Sequence, residues 1–261
     1  MSVVSPDLLA LDFDGVLCNG LKEYAQSAWK AYQRIWPSEE KRLDDTLRDR
    51  FYPLRPAIET GWEMPVLYRA LILGKTDPEI LEHWPQISQD IVAQDNLDPK
   101  ELAHILDTVR DEWIETDLGG WLQLHEFYPG VLKKLQQALQ NPNLEVYIIT
   151  TKEGRFVKQL LQQQNVAIER DRILGKEVKR PKAETLKQLL SQYPQAEIWF
   201  VEDMLKTLYK VKKQPELASV RLFLANWGYN TDSAHQAASA DEKIQLMSLE
   251  MFAGDFSDWL R

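Results

Sequence analysis

Residues 8–17 read Leu-Leu-Ala-Leu-Asp-Phe-Asp-Gly-Val-Leu. Four apolar residues run into Asp12, Asp14 follows two positions on, and Gly15 closes the run. A short continuous apolar run ended by a turn residue suits a strand buried on both faces. Alternate residues of a strand share a face. Asp12 and Asp14 are therefore expected side by side at the strand's end, with Phe13 turned away. Two neighbouring carboxylates repel when both are ionised, and a metal ion, or a proton on one of them, relieves that. Asp and Gly are also ordinary turn residues, so the stretch alone does not fix a chemistry.

Downstream the pattern changes. Residues 21–124 carry helical spacing and almost no strand signal. Tyr24, Ala28, Tyr32 and Ile35 step by three or four, and Leu102, Ile105, Leu106, Val109 and Trp113 form the clearest stripe. Pro37, Pro53, Pro65, Pro78 and Pro85 are expected to punctuate these helices. Six of the nine tryptophans fall in the block, which predicts core packing of a helical bundle rather than an aromatic ligand box.

From Phe127 strands and helices alternate. The expected strands are Val146–Ile149, a very short Ile173–Leu174, Ile198–Val201, Val220–Ala225 and a weaker Ile244–Leu246, with helices between them. This alternation predicts an α/β fold, a Rossmann-like parallel sheet covered by helices on both faces. The first strand precedes the helical block and the others follow it. The block, 21–124, thus reads as an insertion into one core made of 1–20 and 125–261.

The whole composition narrows the function. A chain of 261 residues with 44% hydrophobic and 27% charged content suits a globular protein with a sizeable core. Its formal net charge of −9 argues against nucleic acid or an anionic membrane as the main partner. The single cysteine, Cys18, cannot form an intrachain disulfide and suits a reducing compartment. The opening Met-Ser-Val-Val-Ser-Pro-Asp lacks the basic start and apolar core of a signal peptide. No apolar run approaches the ~18 residues of a membrane span. A cytoplasmic location is expected; the oligomeric state is not readable.

The polar residues cluster at strand ends: Asp12 and Asp14, then Thr150-Thr151, then Glu202-Asp203. In open α/β sheets ligands bind beyond the carboxyl ends of the strands. The loop between the second and third strands adds Lys176, Lys179, Arg180 and Lys182, a local inversion in an acidic chain. Acids, a hydroxyl and a lysine suit phosphoryl transfer assisted by Mg²⁺, which prefers carboxylates, waters and phosphate oxygens. A carboxylate can attack phosphorus, a second carboxyl can serve the leaving oxygen and then water, and lysine offsets the moving charge.

These pieces, in this order, resemble the haloacid dehalogenase-like hydrolase superfamily, and most of all its phosphoglycolate-phosphatase-like members with an inserted helical cap. The motif Asp-x-Asp-Gly-[Thr/Val] matches residues 12–16, Thr150 matches the second motif, a lysine at a helix start the third, and Glu202-Asp203 the fourth. Phe127-Tyr128-Pro129-Gly130-Val131 resembles the return from cap to core, and Trp227-Gly228-Tyr229 the last core loop. The resemblance implies Asp12 as nucleophile and Asp14 as general acid/base. It further implies Mg²⁺ held by Asp12, the Asp14 carbonyl and Asp203, and phosphate bound by Thr150 and a lysine. Lys182 has the matching spacing, with Lys179 as second choice. Where relatives often carry a further acid this chain has Thr207, so Glu202 is expected to supply the second carboxylate, through a water. Dehalogenases lack the second Asp, so Asp14 points to phosphate chemistry.

Three functions compete. The first is a Mg²⁺-dependent phosphatase acting on a small phosphomonoester. The second is a sugar phosphomutase on the same scaffold, for which Arg55, Glu59 and Glu63 are the residues to try; a solvated, salt-linked helix face accounts for them more simply. The third is a non-catalytic binding protein that keeps the fold. The four histidines have no metal-ligand spacing and read as surface or packing residues.

Overall fold

The computed structural model describes residues 5–37 and 42–260. The chain forms two compact units, one of Met1–Asn19 with Glu126–Arg261 and one of Gly20–His125. Strand β1 (Leu8–Leu11) is followed by the two-residue strand β2 (Cys18–Asn19), after which the chain enters the helical unit.

That unit contains α1 (Leu21–Ile35), α2 (Asp45–Leu54), α3 (Glu63–Ile72), α4 (Asp77–Gln94) and α5 (Pro99–Leu122). The apolar stripes face its core: Tyr24, Ala28 and Tyr32 of α1 and Leu102, Leu106 and Val109 of α5 are buried. Trp29, Trp84 and Trp121 are buried, whereas Trp36, Trp62 and Trp113 are half-buried. Pro53, Pro65, Pro78 and Pro85 lie within the helices rather than between them. Pro65 lies in the first turn of α3, where its missing N–H is no loss. Pro85 lies inside α4 and kinks it at His83 (φ −121°) without ending it.

A buried ion pair joins α1 to α5. Arg110 Nε lies 2.8 Å from Glu23 Oε1 and its Nη2 3.2 Å from Oε2, and Ser27 Oγ donates to the same carboxylate at 2.5 Å. Glu23 is wholly buried. Removing one partner strands a charge in the core, so Arg110→Ala is expected to cost about 3–5 kcal/mol. The Glu23→Gln/Arg110→Met double variant should recover most of that loss in urea unfolding of the full chain. Glu63 has a local duty as well: its Oε2 accepts the backbone N–H of Glu59 and of Thr60, both at 2.7 Å, at the start of α3. Arg55 donates from Nη1 to the Ile58 carbonyl at 2.8 Å. Arg55 and Glu63 thus both hold the local backbone between α2 and α3.

The chain returns to the first unit through β3 (Glu126–Phe127), which pairs antiparallel with β2. The sequence gives no sign of this small antiparallel pair, since two-residue strands leave no alternation to read. There follow α6 (Val131–Gln140), β4 (Glu145–Ile149), α7 (Gly154–Gln163), β5 (Ile173–Leu174), α8 (Lys182–Gln192), β6 (Ile198–Glu202), α9 (Leu205–Lys212), β7 (Arg221–Ala225), α10 (Asp232–Ser239), β8 (Ile244–Met247) and α11 (Leu249–Ala253). Six strands form one sheet in the order β5-β4-β1-β6-β7-β8, and every neighbouring pair is parallel. The α/β, Rossmann-like expectation holds. No helix among the described residues is long and apolar enough to cross a membrane.

The two sheet faces can be read from the alternation. Leu8, Ala10, Ile198, Phe200, Leu222 and Leu224 pack with Ala183, Leu186 and Leu189 of α8 and with Leu208 and Val211 of α9. On β1 and β6 this face continues, two residues further on, into Asp12 and Glu202. The set in between includes Trp199 and Phe223, whose rings meet Trp259 at 5.6 and 5.5 Å. That cluster seals the C-terminal segment over the sheet.

Candidate active site

In the parallel pairing of β1 with β6, Leu11 stands opposite Val201. The next residues, Asp12 and Glu202, are therefore level and on the α8 side. Lys182, the first residue of α8, meets both: its Nζ lies 2.8 Å from Asp12 Oδ1 and 2.7 Å from Glu202 Oε2. Glu202 Oε1 accepts the Met204 N–H at 3.0 Å. Both Glu202 oxygens are thus engaged. Asp12 Oδ1 is buried, with the Lys182 ammonium as its counter-charge.

Beyond β1 the chain turns sharply, with the Gly15 N–H on the Cys18 carbonyl and the Leu17 and Cys18 N–H groups on the Phe13 carbonyl, each at 2.9 Å. Phe13 is turned away from the carboxylates, as expected, and its ring packs edge-on against Phe127 at 5.9 Å. Asp14 faces Lys152, whose Nζ is 3.2 Å from Asp14 Oδ1. Thr150, at the end of β4, is buried, and its Oγ1 accepts the Lys152 N–H at 3.1 Å.

Asp203 follows β6 and is 1% exposed. Its Oδ2 accepts the Tyr229 N–H at 2.7 Å. A Cβ on Gly15 (φ +86°) would fall 2.0 Å from that oxygen, and one on Gly228 2.3 Å from the Asp203 Cβ. Both positions therefore require glycine. Asp12, Glu202 and Asp203 each offer an oxygen within 4.8 Å of the others.

The electrostatics follow from burial. Burial pushes the Asp12 carboxyl up from 3.8 to about 7 although Lys182 pulls it down, and Glu202 and Asp14 add to the rise. Burial likewise raises Glu202 from 4.5 to about 7 against the pull of Lys182, with Asp203 adding. Burial disfavours the Lys182 ammonium, but Asp12 and Glu202 outweigh it and its pKa rises. Four carboxylates (Asp12, Asp14, Glu202, Asp203) share this edge with two ammonium groups (Lys152, Lys182), a formal balance of −2. A buried, clustered, all-oxygen donor set with two surplus negative charges fits a hard divalent cation.

Asp12, Lys182 and Asp203 thus stand in one cluster, linked along the same sheet edge to Asp14 and Thr150. Lys179 is exposed in the loop before α8, in a left-handed conformation (φ 53°). Lys152 and the Tyr229–Asn230 loop, which also touch the cluster, were not picked out as site residues in the sequence. Lys152 carries no periodic signal, only its place two residues after Thr150.

The model of the haloacid dehalogenase-like hydrolases matches residues 6–206, and the chain belongs to that family of hydrolases. No curated protein sequence matches it significantly. Among solved structures, a predicted phosphoglycolate phosphatase from Haemophilus somnus is similar over 99% of this chain and 98% of its own, at 18% identity and a TM-score of 0.61. A protein assigned as a phosphoglycolate phosphatase from Lactobacillus delbrueckii subsp. bulgaricus gives 11% identity, 94% and 95% coverage and a TM-score of 0.62. A predicted phosphatase from Clostridium acetobutylicum gives 14%, 96% and 97%, and 0.59. At such identities the likeness is one of fold.

Proposed function

We propose that this protein is a Mg²⁺-dependent phosphatase that hydrolyses a small phosphomonoester through an aspartyl-phosphate on Asp12. The observation that carries the reading is the buried Asp12–Lys182–Glu202 cluster beside Asp203, with its two surplus negative charges. Asp12, the Asp14 carbonyl and Asp203 are the residues to hold Mg²⁺. Glu202, with both oxygens engaged, positions Lys182. When bound, the cation neutralises phosphate charge next to an anionic nucleophile.

An Asp12 oxygen attacks phosphorus and the bond from phosphorus to the ester oxygen breaks. Asp14, as the acid, gives that oxygen its proton. Asp14, now a carboxylate, takes a proton from water, and the resulting hydroxide oxygen attacks the phosphorus of the aspartyl-phosphate. The bond from phosphorus to Asp12 breaks and inorganic phosphate leaves. Lys182 and the Thr150 hydroxyl bind the phosphoryl oxygens, and Lys152 holds Asp14 in place. The helical insertion, 21–124, is the cap that selects the substrate, and 1–20 with 125–261 is the catalytic core. The relatives in fold named as phosphoglycolate phosphatases make a small phosphorylated metabolite the first class to screen.

The purified chain is expected to release phosphate from a generic aryl phosphate with Mg²⁺, to stop in EDTA and to resume when Mg²⁺ is restored. Turnover that EDTA leaves unchanged removes the metal from this reading. No turnover and no Mg²⁺ binding in calorimetry leave a non-catalytic binding protein.

A further inference from the structure

The loop after β7 grips Asp203 from three directions. The Tyr229 N–H holds its Oδ2 at 2.7 Å. Gly228 leaves no room beside the Asp203 Cβ. Asn230 Nδ2 donates both to the Asp203 carbonyl at 3.0 Å and to the Ala225 carbonyl at 2.7 Å. This one amide ties the end of β6 to the end of β7. Its other atom, Oδ1, lies 2.5 Å from His235 Nε2, on the first turn of α10. With Oδ1 on the histidine, both amide hydrogens are directed at the two carbonyls.

We propose that Asn230, oriented by His235, is a positioning residue that sets the Asp203 carboxylate for divalent-cation binding. The inference rests on the proposed Mg²⁺ site. Asn230 touches no reacting atom; it acts by fixing the Asp203 backbone, while the neighbouring Tyr229 N–H fixes the carboxylate. Groups that orient a metal ligand typically change metal affinity by about 10–100-fold when removed.

The test is Mg²⁺ titration by calorimetry on the full chain, for wild type, Asn230→Ala and His235→Ala, at a temperature where each is folded. Asn230→Ala is expected to weaken Mg²⁺ binding about 10–100-fold, and His235→Ala to weaken it less. Steady-state kinetics should show a raised Mg²⁺ requirement, with kcat largely recovered at saturating Mg²⁺. A merely structural role lowers the melting temperature and leaves the Mg²⁺ affinity of the folded protein unchanged. Affinity within twofold of wild type in Asn230→Ala therefore overturns the proposal. If Asn230→Ala does not fold, His235→Ala decides, and an unchanged affinity there also overturns it. Wild type that binds no Mg²⁺ overturns the metal-dependent function itself, and the positioning role with it.

Discussion

Asp12→Asn is expected to abolish phosphate release, lowering kcat by about 10⁴-fold or more, the scale lost when a covalent nucleophile is removed. The change is nearly isosteric, so it leaves the β1 strand and the turn at Gly15 in place. It removes the anionic oxygen proposed to attack phosphorus and one of the carboxylates proposed to hold the cation. A rapid acid quench with a labelled phosphate ester should leave hydroxylamine-labile label on wild type and none on the variant. Inactivity need not bring instability. Asp12 is a buried carboxyl raised to about 7, chiefly by burial. Its ionised form therefore weakens the metal-free fold at neutral pH. With Asn at position 12, Lys182 is left with Glu202 in a one-to-one pair, and the cluster carries one less surplus charge. In EDTA at pH 8 the melting temperature should equal or exceed that of wild type. Turnover comparable to wild type, or a collapse of stability, contradicts the role assigned to Asp12.

The parts of this site that the sequence revealed are those written as pattern. An apolar run meeting Asp12-x-Asp14 shows both the strand and which two residues share its end, because side-chain direction alternates strictly. The positions of Thr150 and Asp203 follow in the same way from the ends of β4 and β6. Lys182 could be placed at a helix start but not aimed, since the register of β6 against β1 joins residues about 190 apart and has no local signature. The structure separates Lys182 from Lys179 because the loop turns left-handed at Lys179 and leaves that side chain exposed. Lys152, Asn230 and His235 are single polar residues in or beside loops. Nothing periodic marks them, and Lys152 and Asn230 meet Asp14 and Asp203, which lie just past the ends of other strands. Pro85 shows the opposite failure, a local rule overridden: the packing of Ile80, Trp84, Ile87 and Ile91 keeps α4 going through a kink.

Lys182→Met tests the electrostatic heart of the site. The methionine fills much of the same space and removes the one ammonium shared by Asp12 and Glu202. Catalysis should fall by about 10²–10³-fold, the effect of losing one charge-stabilising donor in an excluded site. Stability should fall too, by about 3–5 kcal/mol at pH 8, since two buried carboxylates lose their counter-charge. The pH dependence has a definite sign. Asp12 and Glu202 rise from 3.8 and 4.5 to about 7 on folding. Between those limits the native state holds protons that the unfolded chain has released, so wild-type stability in EDTA declines as pH rises through that window and levels off above it. Without Lys182 both carboxyls rise further, and the decline continues past pH 7. Urea unfolding in EDTA should therefore show a larger loss for Lys182→Met at pH 8 than at pH 5, where both acids are protonated. Adding Glu202→Gln should restore much of the stability at pH 8 and none of the activity. Equal losses at the two pH values would mean that Lys182 acts through packing, and that the carboxylates beside it are not held as charges.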